Sequence, residues 1–292
     1  MTVRALILDI DGTLLNSCGV MTEPTYQALR SCADKGLLLC VATTRAGRLV
    51  FRKREIPWDH DFLLQRGIFY GGGTVYDTPA CFYLHTPVPG PLVAELTRAI
   101  EEYDGSLQIA LQHDDEYHAF KQSMPDPDLA SWEFSRDELL DFAVARSKPA
   151  TKMIVYHGTD LNRKRPDVAD LHRRLAERFQ DRASILLADS KASVYILSRH
   201  VSKGAAIRQL IALNGIKPEE VAVFGDDTPD AGMFGMFGHS IAMGNADKSL
   251  KEHATFVTRT NDEDGVVYAL KEHLKVLRRS GTTVTLVAAR GL

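Results

Sequence analysis

No stretch of this chain approaches the roughly 20 uninterrupted apolar residues that a membrane-spanning helix requires, so a helical membrane protein is excluded. The amino terminus also lacks the apolar core of a signal peptide, because Asp9 and Asp11 interrupt its hydrophobic run. A soluble, cytoplasmic protein is the expectation. No excess of one charge is present: 35 Lys and Arg stand against 38 Asp and Glu, a formal charge of −3. The signs are mixed along the chain, which argues against a nucleic-acid surface or an acidic tail. Cysteine is scarce. Cys18, Cys32, Cys40 and Cys81 show no close metal-ligand spacing and read as reduced, mostly buried thiols. There is no internal repeat and no low-complexity segment. The 292 residues are enough for a substantial core and most simply for two domains.

What is present is a set of short apolar runs that end in reactive side chains. Val3 to Leu8 runs into Asp9-Ile10-Asp11-Gly12-Thr13-Leu14. Leu37 to Ala42 ends in Thr43-Thr44-Arg45, and Val221 to Phe224 ends in Gly225-Asp226-Asp227-Thr228-Pro229-Asp230. Ser240 to Met243 ends in Gly244-Asn245-Ala246. Continuous apolar runs suit strands covered on both faces, as in a parallel sheet. Ligands of such sheets gather beyond the carboxyl ends of the strands. Carboxylates, hydroxyls, an amide and Lys203 are therefore expected to converge there. Paired carboxylates at a strand end suit a divalent cation better than packing, and Gly12 lets the backbone turn away tightly; a strand followed by an Asx-type turn uses the same residues.

Helical spacing appears over Pro24 to Gly36, Lys203 to Asn214 and Asp264 to Leu277, with Gly36 and Gly215 as stops. Between about Phe82 and Leu197 the pattern changes. Two helical segments, Gly90 to Tyr103 and Pro166 to Phe179, alternate with short strands such as Lys152 to Tyr156 and Ser193 to Leu197. The expected architecture is α/β: a Rossmann-like three-layer core with a parallel sheet, formed by 1–81 and 198–292, and an inserted α+β cap, 82–197.

The motifs and their order resemble the haloacid dehalogenase superfamily, and within it the Cof-type phosphatases with a large cap. Asp9 to Leu14, Ala42-Thr43-Thr44-Arg45, Val201-Ser202-Lys203-Gly204 and Gly225 to Asp230 match its four motifs in sequence. Ala242-Met243-Gly244-Asn245-Ala246 and Asp264-Gly265-Val266 match two further signatures. Thr44, Pro229, Gly71 and Tyr195 depart from residues usual in the family, the last from an acidic one, which bears on substrate range.

The resemblance implies Mg²⁺-dependent hydrolysis of a small phosphorylated metabolite, such as a sugar phosphate. Asp9 would attack phosphorus to give an aspartyl-phosphate. Asp11 would protonate the leaving alkoxide and later take a proton from water. Asp9, Asp11 (through its carbonyl) and Asp226 are the expected metal ligands, with Asp227 and Asp230 holding metal waters or Lys203. Thr43, Thr44, Asn245 and Lys203 would bind phosphate oxygens. Thr43 and Asn245 also suit ordinary turns, and Asp226 a helix cap. A lysine at a helix start opposes the macrodipole, so Lys203 reads as functional. The same chemistry serves a phosphomutase, and a non-catalytic phospholigand-binding protein is a third reading. A dehalogenase does not need Asp11, and a P-type pump needs membrane spans.

The cap is expected to select the substrate. The run His113-Asp114-Asp115-Glu116-Tyr117-His118 reads as a solvated loop more readily than as a second metal site, and Arg163-Lys164-Arg165 as a basic turn. Trp132, Phe134 and Tyr117 are expected to pack within the cap. The tail Thr282 to Leu292 suits an edge strand or a homodimer contact as well as a frayed end.

Overall fold

The computed structural model describes residues 2–47, 61–113, 117–131, 134–158, 168–189 and 191–277. Arg163 to Arg165, Trp132, Asp114 to Glu116 and the tail from Thr282 lie outside them. Among the described residues five strands come first: β1 (Ala5–Leu8), β2 (Leu38–Ala42), β3 (Arg66–Phe69), β4 (Thr74–Asp77) and β5 (Phe82–His85). Five more follow: β6 (Leu107–Gln112), β7 (His118–Phe120), β8 (Lys152–His157), β9 (Ala183–Ala188) and β10 (Ser193–Ser198). Three close the described chain: β11 (Val221–Gly225), β12 (His239–Ala242) and β13 (Phe256–Val257).

The first and last groups form one eight-stranded sheet in the order β13-β12-β11-β1-β2-β3-β4-β5. The pairs from β13 to β3 are parallel, as the apolar runs require. The sheet is mixed beyond that point, because β4 and β5 pair antiparallel. The reversal is made by Tyr70–Gly73, where Gly71 and Gly72 take φ of 66° and 111°. A Cβ on Gly72 would lie 2.6 Å from the carbonyl oxygen of Ser202, so this turn also sets how closely the Lys203 helix approaches.

β1 is flanked on both sides by parallel partners and is wholly buried. Each fully buried Leu or Ile contributes about 1.5–3 kcal/mol. Leu6, Ile7 and Leu8 thus anchor the strand that carries Asp9. The helices Glu23–Asp34 and Lys203–Leu213 cover the sheet, the first through Leu29 and Cys32 and the second through Ile207, Leu210 and Ile211. The predicted helix from Asp264 begins one residue later and widens midway. Asp264 is left-handed with φ 52°, Gly265–Tyr268 is one α-turn, and Ala269–His273 continues as a wider turn. Cys32 and Cys40 are buried as expected, whereas Cys18 and Cys81 are exposed.

The second sheet is antiparallel throughout, in the order β7-β6-β8-β10-β9. Its side chains alternate faces, as strand geometry dictates. Met153, Val155, Val194 and Ile196 pack under the helices Gly90–Tyr103 and Ala169–Phe179. Ile154, Tyr156 and Tyr195 point the other way. Phe134 packs there too, its ring centroid 3.9 Å from that of His118, while Tyr117 is exposed. His113 and His118 are buried, so the ends of the His113–His118 run are not solvated as expected. Since β5 bonds to β4 and β10 extends to Ser198, we propose that the domain crossovers lie at 86–89 and 199–202, in place of 81/82 and 197/198.

Candidate active site

Asp9 follows β1 directly, and its N–H donates to the Phe224 carbonyl at 3.1 Å, which carries the β1–β11 ladder one step further. The carboxylate is 7% exposed. Burial pushes its proton affinity up, Lys203 opposes this, and Asp230 and Asp226 add to it. After Asp9 the chain turns through Gly12, at φ 68°. A Cβ there would stand 2.2 Å from Asp226 Oδ2, so the glycine is what lets the loop and the β11 carboxylate meet. Thr13 Oγ1 donates to Asp226 Oδ1 at 2.9 Å.

Lys203 begins its helix after Ser202, whose Oγ accepts from Ala205 N at 3.1 Å. Its ammonium donates to Asp9 Oδ1 at 2.5 Å and Asp230 Oδ1 at 2.6 Å, and the residue is 3% exposed. Burial alone would lower its proton affinity; the two carboxylates outweigh that and hold Lys203 charged. The other oxygen of Asp230 accepts from the N–H groups of Asp226 and Asp227, at 2.9 and 3.2 Å. Asp230 is therefore fully engaged in fixing Lys203 and the β11 loop. Burial, then Asp230, pushes the Asp226 carboxyl up to about 7. Asp227 is half-buried and accepts from Thr228 N at 2.7 Å.

Asp11 is turned outward, its side chain 55% exposed, and both of its oxygens are held by Arg45. Arg45 Nε donates to Oδ2 at 2.7 Å and Nη2 to Oδ1 at 2.5 Å. Thr43 is buried, and its Oγ1 accepts from Arg45 N at 3.1 Å, so it shapes the loop that carries this arginine. The Thr44 carbonyl accepts from Lys152 Nζ at 2.7 Å. Asn245 donates to the Gly12 carbonyl at 2.8 Å and accepts from Asn261 N at 3.0 Å, which braces the Asp9–Leu14 loop from outside.

Arg45, Lys152 and Asp189 carry no assigned role in the sequence. Arg45 was visible only as the end of a motif. Lys152 opens an apolar strand, a signal of a lysine with an unusual environment, and it is buried at 3% exposure. Burial lowers its proton affinity to about 7, with Asp189 opposing and Lys203 contributing. Tyr195 lies beneath its ammonium, 4.5 Å from the ring centroid, and donates its hydroxyl to Asp189.

A divalent cation fits this donor set. Carboxylate oxygens of Asp9, Asp226 and Asp230 come within 4.8 Å of one another. Three buried or half-buried carboxylates face one ammonium, and burial, followed by the neighbouring negative charge, raises Asp9 and Asp226. Hard oxygen ligands with uncompensated charge suit Mg²⁺.

A protein-family model described as haloacid dehalogenase-like hydrolase matches residues 6–270. The chain is 26% identical over 288 residues to the 5-amino-6-(5-phospho-D-ribitylamino)uracil phosphatase YwtE of Bacillus subtilis, covering 93% of this chain and 98% of that protein. Its fold matches the crystal structure of SMU.1108c from Streptococcus mutans with a TM-score of 0.77 at 21% identity, covering 94% and 100% of the two chains. It also matches the subclass IIB sugar phosphatase BT4131, with a TM-score of 0.75 at 22% identity over 92% and 98%.

Proposed function

The chain belongs to the haloacid dehalogenase-like hydrolases and is a phosphoric monoester hydrolase, and on that premise we propose that it is a Mg²⁺-dependent phosphatase acting on a small phosphomonoester, a sugar phosphate or related metabolite, through an aspartyl-phosphate on Asp9. The observation that carries this reading is the buried Asp9 carboxylate at the end of the central strand, held at 2.5 Å by Lys203. Lys203 leaves one Asp9 oxygen to act while its charge opposes repulsion between that oxygen and the phosphoryl group.

Asp9, Asp226 and the carbonyl of Asp11 would hold the Mg²⁺, which supplies charge neutralisation to the phosphoryl oxygens. Asp9 attacks phosphorus in line, the P–O bond to the leaving group breaks, and Asp11 gives a proton to the departing oxygen. In the second half-reaction Asp11 accepts a proton from water as that water attacks phosphorus and frees Asp9. Both oxygens of Asp11 are taken by Arg45 in the present arrangement. Asp11 must therefore leave Arg45 before it serves as the acid. Thr43 shapes the phosphate loop, Thr44 and Asn245 stand around it, and Asp227 and Asp230 order the β11 loop.

The test compares leaving groups. Asp11→Asn is expected to lose about 10²–10⁴-fold in rate on alkyl phosphates and markedly less on p-nitrophenyl phosphate, whose leaving group needs little protonation. An equal loss on both would remove Asp11 from the acid role. Phosphoryl return to a bound sugar phosphate in place of phosphate release would favour a mutase instead.

A further inference from the structure

We propose that Lys152 and Gln112, on the open face of the cap sheet, form a subsite for the leaving part of the substrate, with Lys152 taking an anionic group and the Gln112 oxygen a neighbouring hydroxyl. The inference rests on the phosphatase reading and names a substrate class for it: phosphomonoesters whose leaving group carries a carboxylate or a second phosphate.

The first observation is a buried cation without an anion. Lys152 is 3% exposed; its contacts are the Thr44 carbonyl at 2.7 Å and the Tyr195 ring at 4.5 Å. Among the described residues no carboxylate forms an ion pair with it. Asp189 is directed to the Tyr195 hydroxyl, which donates to it at 3.1 Å. Burying an ammonium is unfavourable unless an anion or several acceptors replace its water. A carbonyl and a ring face supply part of that replacement, and an anionic oxygen would complete it. The lowered proton affinity of Lys152 agrees, since an arriving anion would hold the proton in place.

The second observation is independent. Gln112 on β6 pairs directly with Lys152 on β8, so the two side chains share one face. Gln112 is 3% exposed, and its Oε1 is buried with no hydrogen-bond partner. A buried amide oxygen without a donor is costly; a ligand hydroxyl would satisfy it. The subsite thus offers a cation and an acceptor side by side.

Its position fits the leaving group. Thr44, which Lys152 touches, lies between Thr43 and the arginine that holds Asp11. The cap strand β9 packs against the Thr228–Asp230 turn, which places the cap beside the β11 carboxylates. A phosphoryl group at Asp9 would leave its ester substituent facing this wall.

The test is binding of phosphonates in the presence of Mg²⁺, measured by calorimetry on the full chain. 3-Phosphonopropionate is compared with propylphosphonate, and phosphonoacetate with ethylphosphonate; each pair has matched length and differs by the carboxylate. 1,2-Ethanebisphosphonate reports whether a second phosphate serves as well. Wild-type protein is expected to bind a carboxylated member, or the bisphosphonate, about tenfold or more tightly than the alkylphosphonate that lacks the second anionic group. Lys152→Met and Lys152→Gln, the latter keeping a donor for Thr44, are each expected to bring that ratio to about one. A wild-type ratio near one for every comparison would overturn the proposal. So would a ratio that persists in either variant, since Lys152 would then be only a latch between cap and core. Failure of the phosphatase reading shows separately, as absence of phosphate release from any ester.

Discussion

Lys203 is the residue on which the electrostatics of the site turn, because one ammonium compensates two buried carboxylates. Breaking such a cluster from the cationic side leaves charge without a partner, at about 3–5 kcal/mol. Lys203→Met is expected to lower stability by that order at pH 7, measured by urea unfolding. The deficit should shrink as the pH falls towards 5, because protonation of Asp9, already favoured by burial, removes the uncompensated charge. A deficit independent of pH would mean that the lysine matters for packing alone. The residues most visible in the sequence were those that contradict their surroundings: Asp9 after an apolar run, Asp226 after another, and Lys203 at a helix start. Arg45 was not visible in this way, and Lys152, at the head of an apolar run, was visible as an anomaly but without its role. What defines them is a partner far along the chain, Asp11 for one and the Thr44 carbonyl for the other. No local pattern encodes such a pairing.

At the scale of elements, the loop between β1 and the first helix holds the site together through a backbone position. Gly12 is left-handed and lies against Asp226. Gly12→Ala combines backbone strain of about 1–2 kcal/mol with a clash that must displace the Asp226 carboxylate. The expected outcome is a lower melting temperature together with weaker Mg²⁺ binding by titration. A drop in melting temperature with unchanged Mg²⁺ affinity would show that Asp226 is not a ligand. The strands that place these groups were legible as uninterrupted apolar runs, since parallel strands buried on both faces leave that signature. The antiparallel extension of β4 and β5 was not, because Gly71 and Gly72 allow a reversal without dictating one. The later start and the widening of the final helix were missed for a related reason. The apolar spacing from Val267 to Leu274 continues through a wide turn, and Asp264 takes its left-handed conformation while accepting from Thr22 Oγ1 at 2.5 Å.

At the scale of the whole molecule, the two sheets meet beside the site: the first carries the carboxylates, and Lys152 of the second donates to the Thr44 carbonyl. No helix among the described residues is long and apolar enough to cross a membrane. The acidic centre should link metal binding to pH. Asp226 is raised to about 7 in the fold, against an unfolded value of about 3.9. The folded state therefore holds a proton that the unfolded chain releases between those values. Metal-free stability is expected to fall as pH rises through that window, and Asp9 shifts in the same direction. Mg²⁺ must displace those protons, so the rise in melting temperature that it gives should be larger at pH 7.5 than at pH 5. An equal rise at both would place the cation elsewhere.

The most direct test of the central claim is release of inorganic phosphate from a panel of phosphomonoesters with Mg²⁺, with wild type and Asp9→Asn compared side by side. Turnover by the wild type that vanishes in a folded Asp9→Asn variant is the expected result. Full-rate phosphate release by that variant would contradict the assignment of Asp9 as the nucleophile.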